Sequence, residues 1–249
     1  MTIKDKSQRW GITETGEVAF NLDCFENLYM GNTIITKRLT DKLIDKIVEN
    51  KEKIILHLTV TGHGGDILEP LVPTVYQTRE KFSILIEKGF PVEQVVLRVD
   101  PIIPTRKGMD IALSVIDAFK DCGIKRVRIS FLDMYNHVKE RFKEAELPLP
   151  YESFHADINL RLKCLEKIKA KGLEFGFDIE ACGEPGIESI PCLSQKDVDI
   201  LGLTDKITLI GSAEQRGNCH CPSNKTQILR EKPHRCANNC LYCFWKETN

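Results

Sequence analysis

From about residue 30 to residue 180 the chain alternates short apolar, β-branched runs with longer segments of helical period. Runs suited to strands are Thr33–Lys37, Ile54–Thr61, Val95–Asp100, Val127–Leu132 and Leu173–Ile179. Helical patterns over Thr40–Asn50, Thr74–Lys88, Gly108–Asp121 and Ser153–Lys171 lie between them. In the third helix, Met109, Ala112, Leu113, Val115, Ile116 and Phe119 make an apolar stripe of helical period. Such alternation demands an α/β fold, with parallel strands joined by right-handed crossovers. Gly89, Gly123 and Gly172 each sit at the end of a helical pattern, where a left-handed C-cap suits glycine. Weaker strand signals occur at Val18–Leu22 and Ile207–Ile210. No internal repeat, low-complexity segment or linker divides the chain, so a single domain over residues 1–249 is the simplest organisation.

A parallel strand covered by helices on both sides reads as apolar throughout. Here one face of each central strand is polar. Leu56, Leu58 and Val60 share a face, leaving His57, Thr59 and Thr61 on the other. Arg98 and Asp100 share a face of the next strand, and Arg128 and Ser130 a face of the one after. Recurrence on three consecutive strands points to a polar lumen with room for a ligand, rather than to a solvated face or internal ion pairs alone. In α/β barrels the chemistry sits at the C-terminal ends of the strands.

Cysteines give the chemical signal. Seven of the ten lie in the last third: Cys182, Cys192, Cys219, Cys221, Cys236, Cys240 and Cys243. Cys24, Cys122 and Cys164 are scattered and read as small buried hydrophobes. The N-terminal residues have no apolar signal core and no run is long enough to span a bilayer, so a cytoplasmic protein with no membrane partner is expected. In that reducing compartment, clustered thiols are more often metal ligands than disulfides. Cys236, Cys240 and Cys243 form a C-x3-C-x2-C triplet, which can hold three irons of a [4Fe–4S] cluster and leave the fourth open. A structural zinc is the alternative, drawing Cys219 and Cys221 together with Cys240 and Cys243. That choice strands Cys236. Cys182, Cys192, Cys219 and Cys221 are numerous enough for an auxiliary site, either a second iron–sulfur cluster or a zinc. A net charge of −1 gives no general polyanion-binding signal. Local basic pairs such as Arg126 with Arg128, or Lys225 with Arg230, keep DNA open as a partner.

The triplet, with Tyr242 just before its third cysteine, Cys219-His220-Cys221 and Glu214-Gln215-Arg216, resembles a bacterial family of unknown function in the radical S-adenosylmethionine (SAM) superfamily. Its members carry the triplet at the C-terminus, as if circularly permuted. The likeness runs through Leu68–Pro73, Leu97–Ile102 and Ile129–Asp133, and covers roughly residues 30 to 245. Arg98–Pro104 and Glu69-Pro70 are also similar to the spore photoproduct lyase branch, which acts on a thymine lesion in DNA.

The resemblance implies a permuted, partial (β/α)6 TIM-like barrel over about residues 17–211 and a cysteine-rich cluster-binding segment over about 212–249. The strand preceding the triplet would be Ile207–Ile210. It implies a [4Fe–4S] cluster on Cys236, Cys240 and Cys243, SAM as cofactor, and a reductant such as flavodoxin or ferredoxin. It further implies hydrogen abstraction from a small-molecule or nucleotide-like substrate, with a thymine-type base in DNA as the alternative. SAM contacts are expected from Thr59, Thr61, Arg98, Asp100 and Ser130, with Lys37 as a weaker candidate. Tyr242, Phe244 and Trp245 would cover the adenine or the cluster, unless they anchor the tail in the core. The superfamily's Gly-Gly-Glu motif is absent. Gly62-His63-Gly64-Gly65 offers either a close backbone approach to SAM or a plain turn. A non-catalytic metal-stabilised binding module is the rival from another class.

Overall fold

A computed structural model describes residues 8–212, 219–229 and 236–244. Seven parallel strands form one sheet in the order β6-β5-β4-β3-β2-β1-β7. They are β1 (Trp10–Ile12), β2 (Gly31–Thr36), β3 (Ile54–Thr59), β4 (Val95–Ile102), β5 (Arg126–Phe131), β6 (Asp178–Ala181) and β7 (Lys225–Gln227). The helices are α1 (Asp41–Glu49), α2 (Val75–Glu87), α3 (Arg106–Ala118), α4 (Asn136–Glu144), α5 (Ile158–Glu174) and α6 (Gln195–Ile200). From β1 to β6 each strand lies beside its predecessor, without the reversal of order that marks a doubly wound sheet. β7 then returns to pair with β1, Trp10 opposite Lys225 and Ile12 opposite Gln227.

Local chemistry fixes the helix starts. Thr40, Thr74 and Thr105 each accept a hydrogen bond from a first-turn amide, at Leu43, Gln77 and Gly108. At α2 the Gln77 side chain returns the bond and completes a capping box. The helical layer buries Leu43, Ile47, Phe82, Leu85, Val115 and Ile168 against Ile34, Leu56, Leu58, Leu97, Val99, Val127 and Ile129 of the sheet.

The other face of the sheet is layered along the strand direction. At the N-terminal ends Trp10, Ile55 and Val96 pack on Leu193, Val198, Leu203 and Ile207, which form an apolar floor carried by α6 and its flanks. Arg126 donates to Asp197 of α6 at 2.7 Å, and neither side chain is accessible to any extent. In register, His57 pairs with Val96, Thr59, Arg98 and Arg128 share the next row, and Asp100 and Ser130 lie beyond them toward the C-terminal ends.

Several sequence expectations change. Ile207–Ile210 forms no strand, because Ile207 is taken into the floor. The strand preceding the triplet is β7, so both β1 and β7 come from outside the 17–211 range. Val18–Phe20 and Leu22–Asn27 are 3-10 turns, held by Glu17, whose carboxylate accepts from the Ala19 amide. α5 runs on to Glu174. Gly172 lies inside it, where a Cβ would stand 2.5 Å from Ile179 of β6, and Gly176 at φ 69° takes the left-handed position. Gly89 and Gly123 hold the left-handed conformation expected of them.

Candidate metal and cofactor site

The triplet segment lies across the loops that follow β3, β4 and β5. Cys240 and Tyr242 pack with Leu68 and Val72, Ile103, and Leu132, Met134, Val138 and Phe142. The Leu241 amide donates to the Leu68 carbonyl at 2.8 Å. Arg141 of α4 donates to the carbonyls of Cys243 at 2.6 Å and Leu241 at 3.3 Å. Asn239 adopts φ 49°, and its amide bonds the Cys236 carbonyl at 3.2 Å, turning the chain between the first two cysteines. Asn238 bonds Glu17 at 3.0 Å and accepts from Arg38 at 3.3 Å.

Glu69 is the hub beneath this loop, and it is 1% exposed. Its carboxylate accepts from Lys37, from the Tyr242 hydroxyl and, at 2.5 Å, from Thr61, and stands 3.9 Å from the Cys240 thiol. Lys37 also reaches the Tyr242 hydroxyl at 3.1 Å. Burial alone would raise the Glu69 carboxyl, but Lys37 and the two hydroxyls outweigh it and hold it below the ordinary range. Burial likewise opposes charge on Lys37, and the neighbouring Tyr242, Glu69 and Cys240 hold it well above its usual value. Burial pushes the Cys240 thiol up to about 12.

Of the expected cofactor contacts, Lys37, Thr61 and Tyr242 therefore meet at Cys240. Arg98, Asp100 and Ser130 make a second network, in which both Arg98 and Ser130 donate to the Asp100 carboxylate. Thr59 is buried on β3, paired in register with Arg98. Phe244 stacks on Tyr135 at 6.0 Å, while Trp245, Glu214-Gln215-Arg216, Arg230 and His234 fall outside the described residues. The Gly62–Gly65 turn serves the protein's own packing. A Cβ on Gly64 would lie 2.0 Å from the Pro73 carbonyl, and His63 bonds Asp66 at 2.8 Å. Arg126 and Arg128 form no basic surface. Both are buried, with Arg128 bonded to Glu180 at 2.6 Å, and Lys225 is buried on Glu14 at 2.7 Å.

Cys182, Cys192, Cys219 and Cys221 gather in one group against Ile12 and Ile35. The thiols of Cys182 and Cys192 are 3.3 Å apart, and the Cys192 amide donates to the Cys221 sulfur at 3.2 Å. Arg98 donates to Cys192 at 3.5 Å. Hydrogen bonds from Cys182 and Cys221 pull the Cys192 thiol well down. A bond from Cys221 lowers Cys219 to about 5, while the donors Cys182 and Cys221 are raised. Cys219 and Cys221 thus do not join Cys240 and Cys243 in one zinc site. Cys24 and Cys164 belong to the main core, with Cys122 packed against it.

Glu69 and Glu17 escape a reading of the sequence, since a buried acid in a loop looks like any other surface acid. The hints to Glu69 are its place in the loop after β3 and in the Glu69-Pro70 pair of the family resemblance, neither of which shows its burial.

Residues 32–245 match the profile of a domain of unknown function, DUF1848. The chain belongs to the DUF1848 family. No curated protein matches it. Among the described residues, no helix is long and apolar enough to cross a membrane.

Proposed function

We propose that this DUF1848 protein is a radical SAM enzyme built on a permuted partial barrel, with β7 as the strand that delivers the cluster loop. One observation carries the reading. Three thiols, Cys236, Cys240 and Cys243, share a loop over the C-terminal ends of parallel strands, while the other seven cysteines lie elsewhere. A site with three protein ligands keeps one position open, as catalytic metal sites do. The three are near enough to act on one another electrostatically.

When bound, a [4Fe–4S] cluster with SAM on its open iron supplies reductive cleavage of SAM to a 5′-deoxyadenosyl radical able to abstract a substrate hydrogen. The chain's own residues do the rest. Arg141 and Asn239 shape the loop, and Glu69 fixes Tyr242 and Lys37 beside Cys240. Lys37 places a fixed cation where anionic thiolates and a SAM carboxylate need one. Thr59, Thr61, Arg98, Asp100 and Ser130 supply polar groups at the strand ends for the amino, carboxylate and ribose groups. The apolar floor closes the opposite end to water. The buried pairing of Arg126 and Arg128 favours a small-molecule or nucleotide-like substrate over DNA.

The test is anaerobic reconstitution with iron and sulfide, followed by dithionite and SAM. Formation of 5′-deoxyadenosine, lost in Cys236→Ala, is the expected result. Zinc in the triplet with no SAM cleavage would leave a structural clasp and overturn the reading.

A further inference from the structure

The four cysteines Cys182, Cys192, Cys219 and Cys221 gather together, apart from the triplet. Around one tetrahedral zinc, with Zn–S near 2.3 Å, thiolates stand about 3.8 Å from one another. Cys182 and Cys192 are 3.3 Å apart and Cys192 lies within 4.8 Å of Cys221, so these neighbours are spaced as ligands of one ion, while Cys182 and Cys219 stand at the margin and close on the ion as it binds. A disulfide would need its sulfurs about 2.05 Å apart. In a cubane each thiolate binds a different iron, which sets the ligands wider than those of one ion. Arg98 and Arg128, each ion-paired with a carboxylate, and the buried His57 face the group. Arg98 touches Cys192, and the Nε atoms of Arg98 and Arg128 and the Nε2 of His57 are buried without a hydrogen-bond partner. Buried donors without a partner call for an acceptor nearby, which thiolate sulfurs provide. Four thiolates on Zn²⁺ make a dianion.

The geometry points to a mononuclear zinc site with Cys182, Cys192, Cys219 and Cys221 as its four ligands, joining the two open edges of the sheet. Binding converts four thiols and Zn²⁺ to a tetrathiolate complex and releases four protons. Cys182 directly follows β6, and Cys192 lies on the way to the α6 floor. Cys219 and Cys221 precede β7. β6 and β7 are the outermost strands, with no backbone pairing between them. The ion therefore supplies, through side chains, the link that backbone hydrogen bonds leave out. Glu14 reaches the same group, but its carboxylate is engaged by Lys225 at 2.7 Å, which makes it a neighbour of the complex and not a ligand.

The experiment separates this site from the triplet. A chain carrying Cys236→Ala, Cys240→Ala and Cys243→Ala, produced with zinc and purified anaerobically, should hold about one zinc per chain. Cys182→Ser with Cys221→Ser should lower zinc at least about tenfold, while the triplet still takes up iron on reconstitution. Glu14→Gln should keep the zinc. Should the double serine variant not fold, the natural chain exchanged with cobalt answers the same question, since four-sulfur tetrahedral cobalt has intense visible bands. Its X-ray absorption should show four sulfur neighbours. Iron with sulfide in the triplet-free chain, a Cys182–Cys192 disulfide without metal, or zinc loss in Glu14→Gln would each overturn the assignment. Zinc retained in a protein that cleaves no SAM would leave it standing and sink only the proposed activity.

Discussion

Lys37 and Glu69 offer the sharpest test of how the triplet loop is held. Lys37→Met leaves the Glu69 carboxylate buried, with only the hydroxyls of Thr61 and Tyr242 as donors. Breaking a buried ion pair from one side costs about 3–5 kcal/mol. Lys37 keeps 20% of its side chain exposed and two hydroxyl donors remain, so the discounted expectation is about 2–3 kcal/mol. Glu69→Gln alone removes the charge but keeps an acceptor, and leaves the partly exposed Lys37 free to turn to water, for about 1–2 kcal/mol. Combined, the two changes leave no unpaired charge, and the double variant should lie within about 2 kcal/mol of the natural protein. A coupling energy of at least about 1 kcal/mol follows. Urea unfolding of the four proteins, under reductant and in matched buffer, measures it directly. Additivity to within about 0.5 kcal/mol would show that the two side chains do not act as a pair, and the account of Glu69 as hub would fail.

Other outcomes follow from single contacts. Arg141→Ala removes the donor to the Cys243 and Leu241 carbonyls and should speed iron loss to a chelator at least about tenfold, with the far-ultraviolet circular dichroism unchanged. Gly64→Ala drives a Cβ to 2.0 Å from the Pro73 carbonyl and should cost about 2–4 kcal/mol in urea unfolding, whereas Gly183→Ala meets no atom within 4 Å and should cost only the strain of its φ of 66°, about 1 kcal/mol. Burial raises Glu184 to about 7, so its folded form holds a proton that the unfolded chain has lost. Stability from this group is complete below the unfolded value of 4.5 and falls as pH rises to about 7. Glu184→Gln should therefore gain on the natural protein across that window, by at most about 3 kcal/mol, when urea midpoints at pH 5 and pH 8 are compared. A constant difference would mean that Arg161 keeps Glu184 ionised throughout.

The interior of this fold is written in its sequence and the margins are not. β2 to β5 and the helices between them follow from the alternation of period, and the polar face of β3, β4 and β5 follows from His57, Arg98 and Arg128. β1 and β7 have three residues each, too few for any pattern, and exist because tertiary pairing overrides weak local preference. Gly172 misleads because a glycine needed for close helix–strand approach looks the same as one ending a helix. The division of the clustered thiols into a group of three and a group of four is legible in the sequence, but the meeting of Cys219 and Cys221 with Cys182 and Cys192 depends on β7 returning beside β1. No spacing along the chain records that return.

That return also sets an order of assembly. β1 to β6 and the α6 floor precede Cys219 in the chain, so during synthesis six strands and most of the core can condense before the last five of the ten cysteines exist. β7 then arrives at a sheet edge already built, carrying Cys219 and Cys221 just ahead of it and the triplet just behind. Both groups of thiols are completed late, on a preformed scaffold. Under the proposed metal sites, metal would reach a nearly finished protein, and a shortage would leave folded chains waiting for loading rather than unfolded ones for degradation.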